Sequence, residues 1–231
     1  MKSTIAVSFA VLLMSAVAGA DEPAKSDVTV LFNGKDLSGW EGRDDLWSVE
    51  DGMIVGRTTA DKPLKANTFL IWKDGQPADF ELALQFKIEG GNSGIQYRSK
   101  VIDQQKFIVG GYQADIDFSN KFAGILYEEK GRGILANRGE KVTIAEDGTK
   151  SKSRFAQSSE LAAGIHSGQW NDYRVVAQGN HLQHFINEAL TAEVIDGQSD
   201  KSAAQGVIAL QIHVGPPMVV RFKNITLREL K

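Results

Sequence analysis

Phe80-Glu81-Leu82-Ala83-Leu84-Gln85-Phe86-Lys87-Ile88-Glu89 carries an apolar side chain at every second position from Phe80 to Ile88. Side chains alternate between the two faces of a β-strand, so this period of two predicts a strand with one buried and one wet face. Further runs of strand-forming residues lie at 28–32, 46–55, 94–99, 107–117, 170–177, 181–187, 206–214 and 218–229.

Glycine-containing turns separate these runs, among them Asn33-Gly34 and Asp51-Gly52. After residue 20 no helical period extends over more than about three turns, and only 157–163 is predicted as a short helix. The polar stretch 130–159 is expected to form long surface loops. Near Lys223 and Asn224 the apolar phase of the last run shifts by one position, which predicts a β-bulge. The pattern indicates an all-β sandwich or barrel.

The composition limits the classes of function. The chain has 231 residues, a formal net charge of -3 and no cysteine, so the fold has no disulfide and no thiol nucleophile. Charges of both signs are interspersed, and this argues against a nucleic-acid partner. No phosphate-binding or dinucleotide-binding glycine motif is present.

The first twenty residues have the pattern of a signal peptide. Lys2 precedes an apolar stretch at 5–17, and Ala18-Gly19-Ala20 follows as a small-residue cleavage pattern. The apolar stretch is too short for a stop-transfer helix, so we expect no membrane span. The sequence predicts a periplasmic or secreted protein whose residues 21–231 form a single domain.

Polar side chains share one face of several predicted strands. Alternation sends Gln96 and Arg98 to one face, while Ile95 and Tyr97 point the other way. Amides, carboxylates and a guanidinium together match the hydrogen bonding of sugar hydroxyl groups. The alternative is the ordinary solvated face of a sheet. The further members of this candidate site are Gln113, Asp115, Asp117, Tyr127, Glu128, Gln211 and His213.

Other chemistries find less support in the sequence. His181 and His184 are three residues apart and would face opposite sides of a strand, which disfavours a zinc site. A divalent cation held by oxygens of Asp115, Asp117 or Glu128 stays open. The Glu-x-Asp-x-Glu strand of sandwich-type retaining glycosidases is missing, so a covalent retaining mechanism is disfavoured.

Several short motifs, taken in order, resemble one family, the 3-keto-disaccharide hydrolase domain. The resemblance runs from about Val30 to Leu230. One departure is Asn187-Glu188, where the family usually has an Asn-Gly turn. The motifs are 31–40 (LFNGKDLSGW), 92–98 (NSGIQYR), 111–116 (GYQADI), 169–173 (QWNDY), 206–211 (GVIALQ) and 220–225 (VRFKNI).

The resemblance implies a concanavalin-like jelly-roll β-sandwich of two antiparallel sheets that acts on 3-keto-glycosides as a lyase, hydratase or net hydrolase. The ketone would be made by a separate upstream dehydrogenase, so no bound nicotinamide is expected. Two other functions stay open: a non-catalytic carbohydrate-binding module, and a structural or interaction domain of the cell envelope.

The residues fit this chemistry in definite roles. A ketone at C3 acidifies the C2 hydrogen, so a base can remove it while the C1 substituent leaves. Asp115 or His213 is the candidate base, and Glu128 is the candidate acid or metal ligand. The candidate substrate-binding residues are Arg98, Gln96, Gln113, Asp117, Tyr127 and Gln211. For Tyr112 two interpretations stay open, contact with the sugar ring and packing in the core. We expect the tryptophans Trp40, Trp47 and Trp170 in the core, and Asn171 and Asn224 as turn supports.

Overall fold

The computed structural model describes residues 27–231, and the predicted signal peptide lies outside them. Strands dominate this range. They are β1 (Val28–Val30), β2 (Trp40–Glu41), β3 (Trp47–Glu50), β4 (Met53–Thr58), β5 (Thr68–Trp72), β6 (Phe80–Glu89), β7 (Asn92–Asp103), β8 (Ile108–Asp117), β9 (Leu126–Glu129), β10 (Gly133–Ala136), β11 (Glu140–Ile144), β12 (Lys150–Arg154), β13 (Asn171–Gln178), β14 (His181–Ile186), β15 (Ala189–Asp196), β16 (Val207–Ile212) and β17 (Met218–Glu229). One helix, α1 (Ser158–Ala163), matches the predicted short helix.

The strands form two sheets that pack face to face. The ten-stranded sheet has the order β12-β11-β15-β14-β13-β6-β17-β4-β3, with β1 paired to β17, and the seven-stranded sheet has the order β10-β9-β8-β7-β16-β5-β2. Every pairing is antiparallel except that of β11 with β15, which is parallel. The predicted sandwich of two antiparallel sheets is confirmed, with this one parallel pair as an exception.

The core lies between the two sheets and follows the predicted alternation. Phe80, Leu82, Leu84, Phe86 and Ile88 of β6 are all at most 3% exposed and belong to the main hydrophobic cluster. Burying five such side chains gives roughly 1.5–3 kcal/mol each relative to exposure. Strand β6 is therefore the central packing element of the ten-stranded sheet.

Aromatic side chains from both sheets meet around one histidine. The imidazole of His184 packs edge-on against the rings of Tyr97 and Tyr173. Its Nε2 lies 2.9 Å from the Tyr97 hydroxyl, and its Nδ1 lies 3.2 Å from the carbonyl oxygen of Ile125. Burial lowers the pKa of His184 to about 3. The histidine is a neutral core residue. Tyr112 is buried and stacks on Tyr97, so of its two interpretations the structure supports core packing.

The stretch 130–159 is not a set of long loops, and that prediction was wrong. It contains β10, β11 and β12. All five residues of β12 are exposed, and their sequence, KSKSR, has no apolar period. This strand is held by backbone pairing to β11 at the sheet edge. Because it buries no side chain, hydrophobic periodicity could not predict it.

Two local predictions on β17 and the tryptophans have different outcomes. The bulge is confirmed, because the pairing of β17 with β6 shifts between Lys223 and Thr226 and Asn224 has a φ of 54°.

Trp40 and Trp47 are buried. Trp170 is only partly buried and lies under the Lys223 ammonium group at 4.1 Å, so its assignment to the core was wrong.

The hairpin of β7 and β8 folds back over the outer face of the seven-stranded sheet. Its residues Val101, Phe107 and Val109 form a second apolar cluster with Phe69 and Ile71 of β5 and with Val207 and Ala209 of β16. The Phe69 amide donates to the Phe107 carbonyl oxygen at 3.0 Å. No helix within residues 27–231 is long and apolar enough to cross a bilayer.

Candidate functional site

A pocket of about 470 Å³ opens on the outer face of the seven-stranded sheet. This volume falls in the range of small-molecule sites. Strands β7, β8 and β9 supply most of its floor, and residues flanking β5 and β16 close one side. The lining residues are Asn67, Asn92, Gln113, Asp115, Asp117, Phe122, Ile125, Tyr127, Glu129, Ile134 and His213.

Three glutamine side chains form a hydrogen-bonded group beneath this pocket. Gln96 Nε2 donates to Gln113 Oε1 at 2.6 Å, and Gln211 Nε2 donates to the same oxygen at 2.9 Å. Gln113 Nε2 donates to Asp115 Oδ1 at 2.5 Å. Gln96 and Gln211 are completely buried. They support the floor of the pocket, so the prediction that they bind substrate directly is corrected.

Asp115 is the carboxyl group that this arrangement presents. Burial raises its pKa to about 8; the hydrogen bond from Gln113 opposes the shift, and the charges of Asp117 and Glu129 add to it. Oδ2 makes no hydrogen bond within residues 27–231, and Asp115 lines the pocket. The carboxyl group therefore exchanges its proton near neutral pH, and Oδ2 is the oxygen available for that exchange.

Three more predicted site residues lie in the same pocket. His213 and the partly exposed Tyr127 line it as expected. Burial, with the charges of Glu129 and Asp115, raises the pKa of the Tyr127 phenol. Asp117 also lines the pocket, but its Oδ2 accepts hydrogen bonds from the backbone amides of Lys121 and Phe122 at 2.8 and 3.0 Å. Its main contribution is to hold the loop after β8.

Arg98 does not lie with Gln113 and Asp115, and this part of the prediction was wrong. The strand bulges here, with a shift of pairing between Tyr97 and Lys100 and a φ of 45° at Arg98. The guanidinium, 1% exposed, turns away and donates to the carbonyl oxygens of Ala78 and Gly179 and to the carboxylate of Asp79. Arg98 is a structural clamp between loops.

Glu128 is also outside the pocket, contrary to prediction. Its Oε2 accepts hydrogen bonds from the backbone amide and Nε of Arg132, each at 2.7 Å, and its Oε1 accepts one from Nη2 at 3.2 Å. Both oxygens are therefore committed to an ion pair. Glu128 and Arg98 instead border a separate depression of about 250 Å³.

The neighbouring Glu129 is the carboxylate that the sequence analysis missed. Glu129 Oε1 accepts a hydrogen bond from Asn67 Nδ2 at 3.3 Å, and both residues line the pocket. Alternation could have identified Glu129, because it shares a strand face with Tyr127 and Glu128 does not. Asn67 lies just before β5, a strand that was not predicted, and nothing in the sequence signalled it.

One wall of the pocket is apolar. Phe122, Ile125 and Ile134 lie there, and the Ile134 side chain is 40% exposed. Polar and apolar side chains thus line the pocket together. This combination suits a sugar ring, which has polar edges and a less polar face.

The described residues contain no group of three or more histidine, aspartate, glutamate or cysteine side chains placed to hold a metal ion. Of the suggested cation ligands, Asp117 and Glu128 are occupied by hydrogen bonds from the protein.

Comparison with protein families identifies one match. The model of the 3-keto-alpha-glucoside-1,2-lyase-like domain matches residues 27–228, which is nearly all of the described chain. No curated protein matches the sequence significantly.

Solved structures with the same architecture are distant in sequence. A proposed glycosyl hydrolase from Parabacteroides distasonis ATCC 8503 matches with a TM-score of 0.58 and 20% identity, over 88% of this chain and 99% of that one. The carbohydrate-binding module CBM66 from Bacillus subtilis matches with a TM-score of 0.53 and 15% identity, over 83% and 96%. A galectin-like protein from Bacillus subtilis matches with a TM-score of 0.53 and 10% identity, over 87% and 94%. At such identities these likenesses establish the fold, a concanavalin-like jelly-roll sandwich.

Proposed function

Because the chain belongs to the 3-keto-alpha-glucoside-1,2-lyase-like domain family, we propose that it is an exported enzyme that cleaves 3-keto-glycosides by elimination. The observation that carries this proposal is the buried carboxyl group of Asp115, at the floor of a polar pocket of sugar size. Family membership makes it a carbohydrate-active domain; the keto-sugar substrate and the export are our inference.

The proposed reaction begins with proton transfer from C2 of the sugar to Asp115 Oδ2. The C3 ketone takes up the electron pair as an enolate, and the amide groups of Asn67 and Asn92 are the pocket donors that can bind its oxygen. The enolate then expels the aglycone oxygen from C1, which leaves a C1=C2 double bond. Glu129, His213 and Tyr127 are the candidates to protonate the departing oxygen.

Water can add to this enone, with hydroxyl at C1 and hydrogen at C2, and the sum of the two steps is hydrolysis. No covalent bond forms between sugar and protein, which agrees with the absence of the paired-carboxylate strand of retaining glycosidases. An unoxidised glycoside has no acidic C2 hydrogen, so it should not react.

The pKa of Asp115 sets the pH dependence of this proposal. A carboxyl group with a pKa of about 8 is mostly protonated at pH 6 and mostly ionised at pH 9. Because the ionised form is the base in this mechanism, kcat/KM should rise with pH through this range, and a fall would contradict Asp115 as the base.

The test compares 3-keto-glucosides with the corresponding glucosides, using the purified protein and the Asp115→Asn variant. We expect the wild type to consume the keto substrates alone and the folded variant to lose at least about 100-fold in rate, the usual contribution of a positioned acid or base. If neither substrate is consumed while sugars still raise the melting temperature, the protein is a carbohydrate-binding module. If sugars have no effect at all, an envelope interaction domain becomes the better account.

A further inference from the structure

Asp115 receives its one side-chain hydrogen bond from Gln113. The orientation of the Gln113 amide therefore decides whether Asp115 Oδ1 meets a hydrogen-bond donor or an acceptor. An amide has a donor end and an acceptor end of nearly equal size, and a 180° rotation exchanges them. With the nitrogen toward Asp115 the amide donates a hydrogen bond that favours the ionised carboxylate. With the oxygen there, the ionised carboxylate would face a second acceptor, and only the protonated carboxyl group could form a hydrogen bond.

Two buried neighbours remove this ambiguity. Gln96 Nε2 and Gln211 Nε2 both donate to Gln113 Oε1, at 2.6 and 2.9 Å. Rotation of the Gln113 amide would place its NH₂ group against two donors and lose both bonds. Gln96 is held in turn by Ser99, whose hydroxyl donates to Gln96 Oε1 at 2.6 Å. The chain of donors runs in one direction, from Ser99 through Gln96 and Gln113 to Asp115.

The backbone also leaves space for this arrangement at one residue. Gly94 pairs with Asp115 across β7 and β8, and the Gln113 side chain lies over it. A methyl group at Gly94 would be 2.7 Å from both Cγ and Cδ of Gln113. The φ of Gly94 is not in the left-handed region, so the backbone conformation does not require glycine here. Glycine is required because any side chain would collide with Gln113.

We propose that Gln96 is a positioning residue which, with Gln211, fixes the Gln113 amide so that its nitrogen binds Asp115 Oδ1 and the proton is exchanged at Oδ2. Gln96 does not line the pocket. It acts through Gln113 on the proton affinity of a carboxyl group that it does not touch. The catalytic meaning of this role rests on the proposed function; the orientation of the amide does not.

Other groups also influence Asp115 and must be considered in any titration. They are Asp117 on the same strand, Tyr127 and Glu129 on β9, His213 after β16, and Tyr173 on β13 from the opposite sheet. Substitutions at Gln96 or Gly94 leave all of these groups in place. A change in the titration midpoint of Asp115 in those variants therefore comes from the hydrogen bonds among the glutamines.

The experiment follows the Asp115 carboxyl carbon by ¹³C NMR from pH 5 to 10 in protein labelled at aspartate, with Asp115→Asn to assign the signal. In Gln96→Met, which keeps the volume but lacks donors, we expect the titration midpoint to rise by about 1 unit, as expected for partial loss of a hydrogen bond to a charged group. Gln183→Met, on β14 of the other sheet, is the matched control and should leave the midpoint unchanged.

Gly94→Ala tests the same chain from a second position and should raise the midpoint in the same direction, because the new methyl group displaces the Gln113 side chain. Should Gln96→Met fail to fold, Gly94→Ala alone tests whether the glutamine hydrogen bonds control the titration of Asp115. Midpoints within about 0.2 unit of wild type in the folded variants would overturn the proposal, since a shift that small is a negligible difference in interaction. A lower melting temperature without a shift would show a structural role only.

Kinetics add a separate readout. In Gln96→Met the pH profile of kcat/KM should move by the same amount as the NMR midpoint. If the protein proves to have no activity on keto-glycosides, the proposed function fails, and the NMR midpoint still decides whether Gln96 controls Asp115.

Discussion

At the scale of single residues, the sequence correctly indicates side chains whose direction follows from strand alternation. Gln113, Asp115 and Tyr127 lie where period two places them. Arg98 does not, because a positive φ at a bulge turns its side chain away from the face that alternation assigns to it. Alternation holds only within unbroken pairing, and the sequence around Arg98 gives no sign of the break.

Asp115 should make stability depend on pH in an unusual direction. Its pKa is about 8 when folded and about 4 when unfolded. Between these values the folded state binds more protons, so the stabilisation is complete below pH 4 and is lost as pH rises to 8. Asp115→Asn, which cannot ionise, should therefore gain stability relative to wild type by a few kcal/mol, to order of magnitude, on going from pH 4 to pH 8.

Urea unfolding of both proteins across this pH range measures the difference. The control is Asp61→Asn, an exposed aspartate that should show no such gain. A constant offset between wild type and Asp115→Asn at every pH would mean that Asp115 is not perturbed by burial.

At the scale of elements, the strand with the longest apolar period was predicted, and several shorter or polar strands were not. Strand β6 was recognised along its full length, whereas β12 and the two-residue β2 were missed. Strand β12 is held by backbone pairing with its hairpin partner β11, and β2 is held by pairing with β5. The folding back of the β7–β8 hairpin could not be predicted either, since it depends on apolar contacts with β5 and β16.

The hairpin between β14 and β15 contains two non-glycine residues in a strained backbone conformation. Ile186 pairs with Ala189, so Asn187 and Glu188 form a two-residue turn with φ values of 48° and 68°. Such turns favour Asn-Gly, because a side chain at positive φ is strained. Glu188→Gly should therefore stabilise the protein by about 0.5–1 kcal/mol.

Thermal unfolding compares Glu188→Gly with Glu188→Ala. The alanine variant removes the charge but keeps Cβ, so it should not gain stability. Equal gains in both variants would assign the effect to the carboxylate and refute the strain.

At the scale of the whole molecule, a buried ion-pair network joins the two sheets. Arg132, which follows β9, binds Glu128 at 2.7 Å and Asp196 of β15 at 2.6 Å. Tyr112 donates its hydroxyl to Asp196 at 2.5 Å. Burial acts to raise the pKa of Asp196, yet the hydrogen bonds from Arg132 and Tyr112 hold it below its usual value.

Removing the arginine should leave two carboxylates without their counter-ion. We expect Arg132→Met to destabilise the fold by about 3–5 kcal/mol, the usual cost of breaking a buried pair. Adding Asp196→Asn to the same protein should recover part of this loss. Denaturant unfolding of the three proteins measures both effects, and a loss below about 1 kcal/mol in Arg132→Met would show that the network contributes little.

The direct test of the elimination mechanism is the origin of the hydrogen at C2 of the product. We would incubate a 3-keto-glucoside with the protein in D₂O and examine the released keto-sugar by ¹H NMR before it exchanges on its own, with a no-enzyme sample as reference. Elimination followed by hydration predicts deuterium at C2 in the released sugar. Release of a sugar that keeps its original C2 hydrogen would show direct hydrolysis at C1 and would contradict Asp115 as the base for this position.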